Sequence, residues 1–261
     1  DPSYIERVKL FVVDNSQNLT VDQVGGAQII RNANLGGSGG FMRGLMYLEN
    51  AGEFTHCLFM DDDASTEIEA IRRTIAILQY AKDEKTAVSG AMLFEHKPFI
   101  QYENAAWFNG VCHPRNTDLD LRDIGNVVEN EKEVAVDYGG WWFFAFPLQT
   151  VEKYVFPFFV RGDDSFFCLT NSFSILTLNG IASWQDSFAT KDSPYTVYLD
   201  TRYHLIHNLL GLFAGASRGK ALRLMRSWFK RYTLSYHYES AQTMLDAVED
   251  VVKGPEFWQK N

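Results

Sequence analysis

Two short strand-like runs in this chain each lead into a segment of distinct chemistry, and a helical pattern follows both. The first run, residues 27–31, precedes a glycine-rich segment that starts at Asn34. The second run, residues 56–60, precedes three consecutive aspartates. Short apolar runs that alternate with helical periodicity are typical of strands and helices in a parallel sheet. We therefore predict the α/β class with a mostly parallel sheet.

The periodicity gives the expected order of elements. It predicts strands at residues 9–13, 27–31, 56–60 and 87–93, and helices at residues 40–50 and 66–82. Residues 96–133 read as loops and short strands, and the aromatic stretch 134–146 reads as a strand. A short helix is expected from Pro147 to Tyr154. After Asp200 the pattern is helical to the end of the chain.

The aspartate cluster is a candidate metal site. Side chains alternate along an extended chain, so Asp61 and Asp63 are expected to point to the same side. Like charges held close together are unfavourable unless a cation neutralises them. Hard carboxylate oxygens suit Mg²⁺ or Mn²⁺. The alternative is a solvated acidic turn whose side chains cap the next helix.

The glycine-rich segment is a candidate phosphate site. It lacks the dinucleotide fingerprint, because Met42 stands where a glycine is required, and it lacks the Walker A lysine, because Leu45 follows Gly44. A flexible turn that leads into a helix remains, and the amides of that helix could face an anion. Arg43 is expected in the first helical turn, where it would meet phosphate. The alternative is a tight turn that only lets the helix pack on a strand.

Six segments in this order resemble one enzyme family. They are residues 12–15 (VVDN), 34–41 (NLGGSGGF), 61–63 (DDD), 137–143 (DYGGWWF), 159–164 (FVRGDD) and 203–208 (YHLIHN). Together they look like a family-two glycosyltransferase of the Rossmann-like GT-A fold. The chain most resembles the bacterial galactofuranosyltransferases that build galactan on a lipid carrier.

The resemblance implies an inverting transfer of galactofuranose from a UDP-sugar to a glycan or lipid-linked glycan, with Mg²⁺ or Mn²⁺ as cofactor. It implies that Asp164, paired with Asp163, is the general base and that Asp61 and Asp63 bind the metal. The donor would contact Asp14, Asn34, Gly36, Gly37, Gly39, Arg43, Asp62, His204 and His207. The acceptor would contact Gly140, Trp141 and Trp142; adjacent residues face opposite ways on a strand, so one indole would line the cleft and the other the core.

Other functions stay open at this point. A rhamnosyl or other hexosyl donor is the nearest alternative. A nucleotidyltransferase also joins a glycine-rich turn to metal-binding carboxylates. A non-catalytic glycan-binding relative is the third alternative, because the chain departs from the family pattern in two places.

The first departure concerns the metal, since Gln185 stands where the family has a metal-binding histidine; Asp186, His204 or His207 are the candidate substitutes. The second concerns the first strand, because residues 9–13 correspond to the family's second strand, which suggests a fragment. On this basis residues 1–200 are expected to form a GT-A catalytic domain that lacks its first strand. Residues 201–261 are expected to form a C-terminal helical region.

Composition narrows the choice of partners and location. The net charge of −9 argues against a general nucleic-acid binder. The three cysteines show no zinc spacing, which predicts reduced thiols in a cytoplasmic protein, and no apolar run is long enough to span a membrane.

Residues 218–231 nevertheless carry six cations and no acid, interleaved with apolar residues. This stretch predicts either a helix on the inner face of an anionic membrane or one packed on the catalytic domain with solvated cations. The oligomeric state stays open and includes a homo-oligomer.

Overall fold

The computed structural model describes residues 7–187 and 193–258. Its helices are α1 (Gly36–Ala51), α2 (Ile68–Tyr80), α3 (Ile124–Asn130), α4 (Asp163–Asn171), α5 (Pro194–Leu210), α6 (Arg218–Leu234), α7 (Tyr238–Val252) and α8 (Pro255–Trp258). Its strands are β1 (Phe11–Asp14), β2 (Gln28–Arg31), β3 (His56–Phe59), β4 (Ser65–Thr66), β5 (Thr86–Ser89), β6 (Ala91–Phe94), β7 (Lys97–Glu103), β8 (Ala106–Phe108), β9 (Cys112–Pro114), β10 (Leu119–Asp120), β11 (Phe144–Pro147), β12 (Ser174–Leu176) and β13 (Ala182–Gln185).

The strands form mixed sheets. One sheet has the order β12-β5-β11-β3, a second has the order β10-β7-β6-β13-β4, and two further pairs are β1-β2 and β8-β9. The pairs β1-β2, β5-β12 and β6-β13 are parallel, and β11 runs antiparallel between β3 and β5. The predicted α/β class is confirmed, and so is the C-terminal helical segment, which starts at Pro194 and not after Asp200.

The predicted strand at residues 87–93 is two strands, because the chain changes sheet at Gly90. The Gly90 amide donates a hydrogen bond of 2.9 Å to the carbonyl of Phe143. A Cβ atom on Gly90 would lie 2.8 Å from the Phe143 side chain. Only glycine fits this close approach, and it lets β5 enter one sheet while β6 enters the other.

The expected strand over residues 134–146 is confined to β11, and the expected helix from Pro147 is a single 3-10 turn, Leu148–Thr150. Aromatic side chains fill the space between α1, β3, β11 and α4. The Phe59 ring lies 4.9 Å from both Trp141 and Phe146, each in an edge-to-face arrangement. Such pairs add about 0.5–1.5 kcal/mol each beyond burial, so this cluster fixes the ends of β3 and β11, where polar residues follow.

Helices α5, α6 and α7 pack on one another. Ala221 and Met225 of α6 are buried together with Leu205 of α5 and Met244 of α7. The apolar face of the basic helix is therefore turned inward, as the packing alternative predicted. None of the helices within residues 7–187 and 193–258 is long and apolar enough to cross a membrane.

Candidate functional site

The paired aspartates open helix α4, where they have different surroundings. Asp163 is buried, and its Oδ2 accepts a hydrogen bond of 2.8 Å from the Ser38 hydroxyl group. Asp164 is partly exposed. Its Oδ1 accepts a hydrogen bond of 2.6 Å from the amide of Ser165, whereas its Oδ2 accepts none from the part of the chain that is described. Asp163 is thus a fixed buried group, and Asp164 offers an oxygen to the surface.

Burial raises the pKa values of both aspartates. The pKa of Asp164 rises to about 7, first because of desolvation and then because of the negative charges of Asp163 and Asp61. Desolvation also raises the pKa of Asp163, while the Ser38 hydroxyl group acts in the opposite direction. A carboxyl group with a pKa near neutrality suits proton transfer at physiological pH.

The glycine-rich segment is the start of helix α1, and the prediction of a turn before residue 40 is wrong. Gly36, Gly37 and Gly39 lie in the first helical turn. A Cβ atom on Gly36 would lie 2.1 Å from the carbonyl oxygen of Phe159, and the Ser38 amide donates to that same oxygen at 3.0 Å. The glycines therefore bring the N-terminus of α1 against the segment that precedes Asp163.

That segment, residues 159–162, has an unusual backbone. Phe159, Arg161 and Gly162 have φ angles of +72°, +68° and +79°, and each non-glycine residue in such a conformation costs about 1–3 kcal/mol. The Arg161 guanidinium pairs with the Asp200 carboxylate of α5 at 3.0 Å. A side chain at residue 162 would overlap the Tyr203 ring. Helices α1 and α5 thus hold the segment from both sides.

The aspartate triplet follows β3 and approaches α4. Asp61 is partly buried, whereas Asp62 and Asp63 are exposed. Asp61 lies close enough to Asp164 for its charge to raise the pKa of the Asp164 carboxyl group. The triplet does not cap the next helix, because α2 begins after Glu67. The helix-capping alternative is therefore wrong.

The metal prediction can be tested against the oxygen atoms near this turn. Among the described residues, no three His, Cys, Asp or Glu side chains come together as a metal cluster. Gln185, however, is 2% exposed, and its Oε1 has no hydrogen-bond partner in the described chain. Trp184 pairs with Ser65, so the next step of this register carries Gln185 beside Ala64, at the end of the triplet. An amide oxygen is a hard ligand, and the residues therefore fit a cation held by one or two carboxylates, an amide and substrate phosphates.

Glu103 is a site residue that the sequence analysis missed. It ends β7 and is 5% exposed, and its carboxyl group forms no hydrogen bond with another described residue. Desolvation and the nearby Asp164 raise the pKa of Glu103 to about 8. Its carboxyl group is therefore mostly protonated at neutral pH and can donate a hydrogen bond. The available signal was Gln101 followed by Glu103, because two polar residues at this spacing share one face of a strand.

Replacing Glu103 with glutamine should change how stability depends on pH. The folded-state pKa lies above the unfolded value, so folded wild type binds more protons than the unfolded chain between about pH 4.5 and pH 8 and loses stability as the pH rises. The free energy of unfolding of Glu103→Gln, relative to that of wild type, should increase by up to about 1.4 kcal/mol per pH unit in this window. Above this window the difference should stay constant. Urea unfolding of both proteins from pH 5 to pH 9 measures it. A constant difference would contradict the assignment.

The residues near the start of the chain that are predicted to contact the nucleotide-sugar donor lie in several different elements. Asp14 is buried at the end of β1, where its Oδ1 accepts a hydrogen bond from the Ser16 amide, its Oδ2 accepts one from the Leu19 amide, and Arg31 forms an ion pair with it. Asn34 is exposed, and its Oδ1 accepts a hydrogen bond of 3.2 Å from the Gly36 amide. Arg43 is exposed beyond the first turn of α1, so its predicted first-turn position is wrong. Only Asn34 and the glycines adjoin the end of α1 that faces Asp163.

The tryptophan prediction needs correction. Trp141 and Trp142 do face opposite ways, since each belongs to a different core cluster. Both are buried, at 4% and 7% exposure. A Cβ atom on Gly140 would lie 2.3 Å from the Trp142 ring, so this glycine makes room for the indole. Neither ring presents a free face on which a sugar could stack, and the prediction that one lines a sugar cleft is wrong for this structure.

The histidine prediction also fails. His204 and His207 are 5% and 0% exposed. Desolvation lowers their pKa values to about 4 and about 3, and His204 lowers that of His207 further. His207 Nε2 lies 3.1 Å from the Ser165 hydroxyl group. These rings are neutral, buried packing groups of α5, which leaves little surface for a donor or a metal. Asp186, the other proposed ligand substitute, is exposed after β13.

Comparisons with known proteins find sequence relatives of the same enzyme class that the motifs resemble. No protein-family model matches the chain. The galactofuranosyltransferase GlfT2 of Mycolicibacterium smegmatis is 29% identical over 246 residues, and that of Mycobacterium tuberculosis is 28% identical over 247 residues. Both matches cover 85% of this chain, which spans 37% and 38% of the length of these relatives.

Among solved structures, A197 from STIV matches 69% of this chain and 85% of its own, with a TM-score of 0.41 and 14% identity. A similarity of this size carries no argument about fold or function. The sequence relatives carry more weight, because their matches cover 85% of this chain at 28–29% identity. Over most of its length, this chain is similar to the galactofuranosyltransferases.

Proposed function

We propose that this chain catalyses the inverting, metal-dependent transfer of galactofuranose from UDP-galactofuranose to a hydroxyl group of a glycan. The observation that carries the proposal is the arrangement around Asp164. The Asp164 carboxyl group lies close enough to Asp61, which follows β3, to feel its charge, and the adjacent Asp163 is bound to Ser38 at the glycine-rich start of α1. A base next to a site for a nucleotide diphosphate is what a one-step glycosyl transfer needs.

The reaction would proceed in one displacement. The acceptor hydroxyl oxygen attacks the anomeric carbon, its proton passes to Asp164 Oδ2, and the bond from that carbon to the diphosphate breaks. Asp163 does not take this proton, because Ser38 holds its carboxylate inside the protein. It acts on Asp164 through its charge, which raises the pKa of the Asp164 carboxyl group and so makes it a better base.

Three side chains of this chain would hold the cation: Asp61, Asp63 and Gln185. Mg²⁺ or Mn²⁺ at this position supplies a Lewis acid for the negative charge that develops on the diphosphate. Gln185 Oε1 contributes an oxygen where the family pattern has a histidine nitrogen. An all-oxygen set favours hard cations, so we infer that this chain prefers Mg²⁺.

Glu103 would contact the sugar. A protonated carboxyl group that has no hydrogen-bond partner among the described residues gains most from a ligand hydroxyl group. Its closeness to Asp164 puts it beside the reacting groups. We infer that it donates a hydrogen bond to a sugar hydroxyl group near the transferred bond.

A donor screen tests the proposed function. The chain is incubated with a glycan acceptor, Mg²⁺ and, in separate reactions, UDP-galactofuranose, UDP-galactopyranose, a dTDP-rhamnose donor, or a nucleoside triphosphate with a sugar phosphate. We expect product only with UDP-galactofuranose, detected by mass spectrometry. Product from another sugar nucleotide would show that this compound is the donor instead. Formation of a new sugar nucleotide from the triphosphate and the sugar phosphate would indicate a nucleotidyltransferase. Glycan binding without turnover would indicate a non-catalytic relative.

We also propose that helix α6 places the protein on an anionic membrane, where a lipid-linked acceptor would lie. Its inner face is packed against α5 and α7, which leaves the cations outside. Arg218, Arg223, Arg226 and Lys230 are exposed, and Leu222 beside them is 55% exposed. Cations and an apolar side chain on one exposed surface suit lipid headgroups.

Vesicle sedimentation measures this attachment. Wild type should bind vesicles that contain anionic lipid at low salt and should be released as salt rises, since each cation near the surface adds about 1 kcal/mol. Reversing Arg218, Arg223, Arg226 and Lys230 to glutamate should abolish binding. The matched control reverses four exposed cations elsewhere: Lys82, Lys97, Arg122 and Lys132. Equal losses in the two variants would show that only total charge matters.

A further inference from the structure

Arg161 occupies a backbone position that normally takes glycine. Its φ angle is +68°, a region that side chains with a Cβ avoid. Gly162 follows it with a similar angle and has a clear reason to be glycine, because a Cβ there would overlap Tyr203. Residue 161 instead carries a long charged side chain, at a conformational cost. An unfavourable backbone that persists at a candidate active site points to a role for the side chain.

The side chain of Arg161 connects the strained segment to helix α5. Its Nη1 donates hydrogen bonds of 3.0 Å to both carboxylate oxygens of Asp200. The two side chains are each 29% exposed, so water weakens the pair as a source of stability. Three residues after Arg161, the chain reaches Asp164. The pair therefore lies where it can set the direction in which α4 begins.

A second contact holds the other end of the segment. The carbonyl of Phe159 accepts from the Ser38 amide at 3.0 Å, and the Ser38 hydroxyl group donates to Asp163. The side chain of Arg161 links this end of the segment to α5 through Asp200, and the His207 ring of α5 also hydrogen-bonds the backbone of Gly162. The ion pair is thus the contact that the strained residue makes through its own side chain.

We propose that Arg161 is a positioning residue: its ion pair with Asp200 holds residues 159–162 in their strained form, so that the Asp164 carboxylate points to the acceptor. The proposal rests on the proposed function, in which Asp164 is the base. Arg161 touches neither substrate nor the reacting atoms, and its effect passes through the backbone of α4.

Arg161→Gly separates positioning from stability. Glycine removes the ion pair but also removes the backbone strain, so the thermal midpoint should stay near that of wild type. The kcat value should fall about 10- to 100-fold, because displacement of a reacting group by about 1 Å costs this much, while the donor KM changes little. Arg161→Lys keeps a cation for Asp200 and should retain most of kcat. The control is Arg122→Ala, which removes the exposed ion pair to Asp120 and should leave kcat unchanged.

The double variant Arg161→Gly/Asp200→Asn gives the sharpest comparison. If the two residues act as a pair, the double variant should be no slower than Arg161→Gly alone. Additive losses, or wild-type kcat in Arg161→Gly, would overturn the proposal. A fall in kcat that only follows a fall in thermal midpoint would also overturn it.

Amide hydrogen exchange tests the inference apart from the reaction. In Arg161→Gly, the amides of residues 163–166 should exchange faster, while those in the rest of α4 should not change. Unchanged exchange at the start of α4 would reject the role of Arg161 even if transfer is observed. Faster exchange in a chain without any transfer activity would reject the proposed function and retain the structural link.

Discussion

Asp164→Asn is expected to reduce kcat by about 10²- to 10⁴-fold, the usual cost of losing a general base. Asparagine keeps the shape and the hydrogen bond from the Ser165 amide but cannot take the proton of the acceptor. Donor affinity should change little, because Asp164 does not hold the nucleotide. Turnover measured at saturating acceptor, with isothermal titration of the donor, gives both quantities.

Asp163→Asn is the matched control for this substitution. Asp163 accepts a hydrogen bond from Ser38, and asparagine keeps an oxygen that can do so. Its effect on kcat should be smaller and should arise through the pKa of Asp164, which falls when the neighbouring charge is removed. A normal kcat in Asp164→Asn, or a loss confined to Asp163→Asn, would move the base to another residue.

Asp61→Ala is expected to remove nearly all turnover and to abolish the response to added Mg²⁺. The cation would lose a carboxylate next to Asp164, and the charge on the leaving diphosphate would lose its stabilisation. Fold should be retained, because Asp61 lies in a turn after β3 and not in the core. Circular dichroism, Mg²⁺ titration of donor binding and turnover together measure this. Full turnover of Asp61→Ala in the presence of chelator would reject the metal role.

Gln185→His tests the ligand set in the same assay. Histidine would restore the nitrogen of the family pattern and should shift the preference from Mg²⁺ towards Mn²⁺. Gln185→Leu keeps a similar volume without the oxygen and should weaken cation-dependent donor binding. The same Mg²⁺ preference in wild type, Gln185→His and Gln185→Leu would show that Gln185 Oε1 does not bind the cation.

The sequence pattern predicted the structural features that depend mainly on neighbouring residues. The apolar run before the triplet is β3, as predicted. The helix that begins at Asp163 was not predicted, although acidic side chains are favoured near the amides of a first helical turn. Trp141 and Trp142 face opposite ways as predicted. Their burial was not predictable from alternation alone, because it depends on α1, α4 and β5, which pack over both faces.

Contacts between distant residues account for most of what the sequence did not reveal. Ser38 and Asp163 are 125 positions apart, and no periodicity in either segment indicates that they meet. The glycines of α1 indicated a close approach, but the partner was the backbone of Phe159, which a single sequence cannot identify. Glu103 was hidden for the same reason, since its chemistry comes from burial next to Asp164.

Because Gly36 contacts Phe159, the start of α1 and residues 159–163, which lead to Asp164, should move together. An engineer who alters the glycine-rich start of α1 to admit another nucleotide sugar is expected to move residues 159–163 as well, and so to change the rate together with the donor choice. Asn34 and Arg43 are exposed and do not share that contact. Libraries aimed at the proposed donor selectivity should therefore vary Asn34, which adjoins that end of α1, and leave the glycines untouched.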